Sequence, residues 1–236
     1  MNLKIDSQIR EKYPDLRIGI VRGLGIDNVT IPAELAGLKL DSVKNLRGRL
    51  AIEDLALNPH ITAWRQTYKS FGVKPKSHRP TAEALVRRIL KGDDLPRISP
   101  VVDLYLVNEL DNLLPVGGYD LDRVSGDISL EISKGDEEFL PIGATESELT
   151  KENEVVYRDN SGILTRRWNY RDSDLAKITP KTQDFVLFIE AALPQITDLA
   201  LEKAAKELEQ SLKTLKHAEI ETCIFEPAKH GHKCEL

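Results

Sequence analysis

Five consecutive residues, Thr165-Arg166-Arg167-Trp168-Asn169, concentrate more binding chemistry than any other stretch of the chain. Guanidinium groups hold phosphate or carboxylate, an indole stacks on a base, and a side-chain amide reads a base edge or a carbonyl. The set describes a nucleotide pocket; an exposed strand end with one buried Trp is the alternative. A second candidate is Pro115-Val116-Gly117-Gly118-Tyr119-Asp120. Its adjacent glycines let a ligand or another chain approach the backbone and tolerate positive φ, so the run reads as a tight turn. It can equally be a turn that simply needs glycine.

Three other groups invite the same question. Ile61, Trp64, Tyr68 and Phe71 recur at steps of three and four, which suits a base-stacking platform and also ordinary core packing. Lys74, Lys76 and Arg79 ride on a loop stiffened by Pro75 and Pro80, suited to a sugar-phosphate contact or to a plain connector. The tail His230-Gly231-His232-Lys233-Cys234 carries metal-ligating types, but so short a polar terminus rarely completes a tetrahedral site, and no metal is expected. No GxGxxG, P-loop, CxxC pair or internal repeat occurs, and no cofactor is expected.

Composition bounds the partners. With 236 residues, 41% hydrophobic and 30% charged, the chain is long enough to bury an ordinary core as one large domain. A net charge of -5 argues against a dedicated nucleic-acid coat. Basic residues nonetheless segregate, from Lys74 to Arg97 and at Arg158, Arg166, Arg167 and Arg171, which would let an acidic protein hold a short nucleic-acid end; a solvated face is the alternative. Two cysteines, no signal peptide and no long apolar run fit a reduced cytoplasmic protein without a membrane partner. Oligomeric state is left open.

The elements that must position these residues follow from periodicity. Leu16 to Val21 reads as an early strand, and Ile31 to Leu57 as mainly helix, weakened at Gly37 and Gly48. Asn58-Pro59 starts a helix bearing the aromatic stripe, and Thr81 caps another that Gly92 stops. Ser99-Pro100 opens a buried helix over Val101 to Asp111. Asp127 to Ser133 alternates as a half-buried strand does, and Phe139 to Gly143 is a second extended run. Val155 to Arg158 and Ile163 to Arg167 form a hairpin around Asp159-Asn160-Ser161-Gly162. Phe185 to Ile189 is a continuous apolar run fit for a central strand, Thr197 precedes a long amphipathic helix, and Glu219 to Phe225 reads as a last strand.

The stretch from Arg97 to Asp120 resembles the editing domain, the B3/B4 region, of the phenylalanyl-tRNA synthetase beta subunit. That family typically reads Ile-Ser-Asn-Val-Val-Asp, then a helix, then Gln-Pro-Leu-His-Ala-Phe-Asp. The first block matches at Ile98, Ser99, Val101, Val102 and Asp103, and the second at Pro115 and Asp120, with the similar Val116 and Tyr119. Pro100 replaces the family's Asn, Leu114 its Gln, and Gly117 a His associated with the editing pocket, so chemistry resting on that His does not carry over. Pro-Val-Gly-Gly-Tyr-Asp, Arg166-Arg167-Trp168-Asn169 and the passage from Trp64 to Gly92 resemble the freestanding branch. Thr182 and Phe188-Ile189-Glu190-Ala191-Ala192 stand for the family's Thr and its later strand, whose Glu is a pocket residue. Glu190 inherits that role by position.

The fold expected is α+β, a helical N-terminal half packed on a mixed or antiparallel sheet system, like the editing domain. One B3/B4-like domain spans 1–236: an N-terminal extension over 1–79, the resembling core over 80–192, and a C-terminal helix, strand and tail over 193–236. The resemblance implies a trans-editing hydrolase that cleaves the ester of mischarged aminoacyl-tRNA at its acceptor end. Gly117 and Gly118 would admit the aminoacyl group, with Tyr119 and Asp120 shaping the turn. Arg166 and Arg167, beside Trp168, would hold the terminal adenosine, Glu190 would face the amino acid, and Asn169, Thr165 or the substrate's own hydroxyl would orient the water. Lys74, Lys76 and Arg79 would contact the nucleic acid. A non-catalytic module that binds tRNA or an amino acid is the second expectation, and a structural protein using the C-terminal helix as a partner face the third. Asp103 reads as structural.

Overall fold

The computed structural model describes residues 1–236. In chain order the elements are β1 (Asn2–Ile5), α1 (Ser7–Lys12), β2 (Arg17–Leu24), α2 (Leu35–Arg49), a 3-10 turn (Asp54–Leu57), α3 (Pro59–Ser70), α4 (Thr81–Leu90) and α5 (Pro100–Asn112). Then come β3 (Val116–Asp120), β4 (Ile128–Ile132), β5 (Glu138–Phe139), β6 (Glu148–Leu149), β7 (Val155–Arg158), β8 (Ile163–Arg166), β9 (Arg171–Asp172) and β10 (Phe185–Ala191). The chain closes with α6 (Asp198–Leu212), β11 (Glu219–Phe225), α7 (Pro227–His230) and β12 (Lys233–Glu235). The fold is α+β.

Two sheets carry the architecture. One is four-stranded and antiparallel, ordered β11-β2-β10-β3; the other is six-stranded, ordered β12-β1-β4-β7-β8-β9, with β1 parallel to β4. The apolar run of β10 is buried at all seven positions, as an interior strand with both faces covered must be. Each such Val, Leu, Ile or Phe stabilises the fold by about 2 kcal/mol on leaving water. The larger core joins residues of both sheets with α1, α3, α5 and α6, and a smaller one lies among α2, α3, α4 and α5.

Local chemistry sets the helix ends. Asn58 accepts from the His60 and Ile61 amides ahead of Pro59, and Ser99 accepts from the Val102 amide ahead of Pro100. Leu113, left-handed at φ 55°, stops α5 and turns the chain into β3. The aromatic stripe is core: Ile61, Trp64, Tyr68 and Phe71 are all buried. Trp64 and Phe71 pack on the Trp168 indole, at ring separations of 5.4 and 6.4 Å. Asp103 is structural, accepting from the Ile98 amide and pairing with Lys39.

Several expectations change. Val116–Asp120 is not a turn but a strand, with Gly117 opposite Phe188 and Gly118 opposite Leu187. Neither glycine has positive φ, so freedom from a side chain, not a turn conformation, is what the pair supplies. Helix α2 ends at Arg49 and only a 3-10 turn follows, while Gly37 and Gly48 sit inside it. Thr81 is the first residue of α4 and not its cap; Pro80 holds the cap position without a side-chain bond. Of Phe139 to Gly143, only Phe139 is in a strand. The polar N-terminal pair β1 and α1 and the tail strand β12 carry no clear periodicity. They form because β1 finds β4 on one side and β12 on the other.

Candidate functional site

The chemistry converges where the two sheets meet the helices. A cavity of about 510 Å³, counted to its open mouth, is lined by Gly117 and Tyr119 of β3, Phe188 and Glu190 of β10, and Tyr157 of β7. Thr81 opens α4 into it, and Tyr105, Leu106 and Glu109 present one face of α5. Thr165, Trp168, Asn169, Tyr170, Arg171 and Asp172 of the β8–β9 hairpin close it.

The turn of that hairpin is strained. Arg167 and Trp168 both take left-handed backbone, φ 52° and 68°, at a cost of about 1 to 3 kcal/mol each. Glu154, itself buried, offsets the cost. Its carboxylate accepts from Arg166 Nε at 2.6 Å and Arg167 Nε at 2.8 Å, while Arg166 Nη1 pairs with Glu148 at 2.7 Å. With both guanidinium groups drawn to one side, the Trp168 indole and the Asn169 amide face the cavity. The arginines do not line it, and they are buried in ion pairs instead of open to a ligand.

Two hydrogen-bonded systems meet in the cavity wall. Glu190 accepts from the Tyr157 hydroxyl at 2.5 Å and Trp168 Nε1 at 2.7 Å on one oxygen, and from Asn169 Nδ2 at 2.9 Å on the other. Tyr68 donates to Asn169 Oδ1 at 2.8 Å, which fixes the amide orientation. Burial raises the Glu190 carboxyl to about 7, against the three donors that pull it down, and Asp172 adds to the rise. In the second system Thr165 Oγ1 donates to Asp172 at 2.5 Å and accepts from the Tyr119 hydroxyl at 2.7 Å. Burial raises the Asp172 carboxyl as well.

The two glycines of the pair do different things: the backbone requires glycine at 118, whereas at 117 it leaves the cavity open. A side chain on Gly117 would meet nothing within 4 Å, because that direction is the open cavity. A Cβ on Gly118 would lie 2.1 Å from the Val186 carbonyl oxygen on the neighbouring strand. Gly118 lets β3 sit close on β10 and does not line the cavity. Asp120 lies beyond the site, accepting from Thr182 Oγ1 at 2.6 Å and from the Asp122 amide.

Of the residues singled out by sequence, the structure brings Gly117, Tyr119, Thr165, Trp168, Asn169 and Glu190 to one cavity. It leaves Gly118, Asp120, Arg166 and Arg167 outside its lining. Lys74 and Lys76 are exposed, whereas Arg79 is half-buried beside Glu83 at 3.6 Å. Their loop leads into Thr81, whose amide donates to the Asn169 carbonyl, and His78 stands edge-on to Tyr170 with ring centres 5.1 Å apart. Arg171, one of the segregated basic residues, does reach the cavity lining. Glu109, Asp172, Tyr105 and Tyr157 were not singled out; no local motif marks them, since each reaches the cavity through helix phase or strand pairing.

An α+β domain with a carboxyl-lined cavity between a glycine-bearing strand and a Trp-Asn hairpin tip is what the geometry defines. The family model of the B3/4 domain matches residues 63–218, and the chain belongs to that family. It is thus a B3/B4-like domain. An N-terminal fragment of the phenylalanyl-tRNA synthetase beta subunit from Pyrococcus horikoshii is similar at 14% identity and TM-score 0.46. The similarity covers 92% of this chain and 49% of that one, so the chain spans about half the fragment's length. No curated protein matches the sequence. No helix is long and apolar enough to cross a membrane.

Proposed function

We propose that this chain is a deacylase that hydrolyses the ester linking an amino acid to the acceptor end of tRNA. One observation carries the reading: Glu190, a carboxyl at about 7, is clamped by three donors in the wall of a cavity open at one side. A general base is most effective with a pKa near the working pH. The aminoacyl group enters beside Gly117, where no side chain blocks it, and the ester carbonyl stops near Asn169. Glu190 takes a proton from a water, the water oxygen attacks the carbonyl carbon, and the second hydrogen of Asn169 Nδ2 donates to the oxygen that gains charge. The bond to the ribose oxygen then breaks, the Glu190 proton passes to that oxygen, and amino acid and tRNA leave.

Thr165 and Asn169 take positions different from simple water-holding ones. The Thr165 hydroxyl is occupied by Tyr119 and Asp172, so it orients Asp172, while Asn169 keeps one hydrogen free. The tRNA backbone runs along the exposed Lys74 and Lys76 toward Arg171, which is exposed at the cavity mouth. Arg166, Arg167, Gly118 and Asp120 serve as supports. The test is release of amino acid from a panel of mischarged tRNAs at low salt, by the native chain and by Glu190→Gln and Asn169→Ala. Release by the native chain, lost in both variants, is expected. Equal release by all three rejects the mechanism.

The saturated Thr165 and the absence of a His at position 117 favour a second reading, a module that binds aminoacyl-tRNA without hydrolysing it. Binding without release in the same panel selects it.

A further inference from the structure

Glu109 is the one cavity-lining carboxyl without a hydrogen bond. It is fully buried on α5, it faces the same cavity as Asp172 and Glu190, and neither oxygen has a partner of normal hydrogen-bond geometry; the Val116 backbone and the Thr81 side chain make only loose polar contacts that pull its carboxyl down, less than burial raises it. Leaving such a group unpaired is costly, the more so when it is charged. Glu83, equally buried, has two arginines within 3 Å, so this chain does satisfy buried carboxyls where no cavity faces them.

We infer that Glu109 is a specificity-determining residue whose partner comes from the ligand: a cationic nitrogen at the end of an amino-acid side chain. The lining has three carboxyls and one arginine, and that Arg171 is at the exposed mouth. Glu190 is satisfied by three protein donors and Asp172 by Thr165, which leaves Glu109 as the group that gains most from an incoming donor. Depth sorts their roles. In an aminoacyl ester the α-amine adjoins the carbonyl, near the half-buried Asp172, and only the side chain extends to fully buried Glu109. A metal ion does not fit, because no three His, Cys, Asp or Glu side chains stand close enough to hold one. Burial keeps the Glu109 carboxyl protonated well above the usual range, and a cation beside it restores the ionised form.

The inference rests on the cavity accepting an amino-acyl group, but its test does not depend on hydrolysis. Calorimetric titration of the full chain with L-lysinamide and with L-norleucinamide, which lacks the terminal amine, isolates the contribution of the cation. Lysinamide is expected to bind at least about tenfold more tightly, because a site built around a polar contact rejects the analogue lacking it. Glu109→Gln, nearly isosteric, is expected to bring lysinamide down to the norleucinamide level, with Glu109→Leu as a second variant and thermal melting as the check of folding. Equal affinity of the two amides for the native chain, binding of neither, or discrimination that survives in a folded Glu109 variant overturns the inference. Lysinamide binding with no release from any charged tRNA would instead remove the deacylase reading and leave this one standing.

Discussion

If Glu190 is the base, deacylation must follow its ionisation. With the carboxyl at about 7, about a tenth of it is ionised at pH 6 and about nine tenths at pH 8, so the enzymatic rate should rise about tenfold over that interval and level off above it. Spontaneous ester hydrolysis also rises with pH, about tenfold per unit, so each point needs a blank without protein. Glu190→Gln should lower the rate by about a hundredfold or more and erase the slope. Stability supplies an independent measurement. The folded carboxyl holds its proton up to about 7, against 4.5 for the ordinary group, so the folded state binds more protons between those values. Its contribution is fully present below 4.5 and is lost as pH rises through about 7, a difference of about 3 kcal/mol. Denaturant melts of native and Glu190→Gln chains at pH 5 and pH 8 should therefore converge or cross in the variant's favour as pH rises. A rate profile flat between pH 6 and 8, or a Gln variant within twofold of native, refutes the reasoning.

The two adjacent glycines should separate cleanly: Gly117→Phe fills the cavity and abolishes ligand binding with little change in the melting midpoint. Gly118→Ala, with its Cβ driven against the Val186 carbonyl, should cost about 3 kcal/mol in denaturant melts. Glu154→Ala leaves Arg166 and Arg167 buried without their shared carboxylate and should cost about 3 to 5 kcal/mol, against less than 1 for removing exposed Lys76. Lys74→Glu with Lys76→Glu should weaken tRNA binding and flatten its dependence on salt, measured by filter retention between 50 and 200 mM, roughly as two fewer phosphate contacts require; an unchanged slope removes the loop from the interface.

Much of the fold was legible because its strongest elements announce themselves locally. Asn58-Pro59, Ser99-Pro100 and Thr197 are cap signals that a short window contains, and the apolar run of β10 needs no partner to be read. Strand β3 is the opposite case. Val116-Gly117-Gly118-Tyr119-Asp120 has turn composition, and only the pairing of Gly117 with Phe188, just over seventy residues away, makes it a strand. β1 and β12 lie at opposite ends of the chain, so no local window holds the information that they pair. The α4 start is a subtler error: Thr is a good cap, but Pro80 at φ -50° already holds that position, and Thr81 is displaced into the first turn, facing the cavity.

The site was legible to the extent that its residues are consecutive. Trp168 and Asn169 carry recognisable chemistry, and Glu190 came with the resemblance. The arginines mislead because residue type does not reveal whether a charge is already paired. Glu154, twelve residues before Arg166, decides it: bound to both guanidinium groups, it holds two left-handed residues in place and turns the indole and amide toward Glu190. The basic dipeptide thus acts on the site through geometry. Its charge is spent inside the hairpin, and the ionisable groups left to line the cavity are Glu109, Asp172, Glu190 and Arg171. The proposed ligand, an amino acid carried on a nucleic acid, is cationic at its tip and anionic along its stem, and a carboxyl-lined cavity with the exposed Lys74 and Lys76 on the loop before Thr81 is the arrangement that pattern calls for.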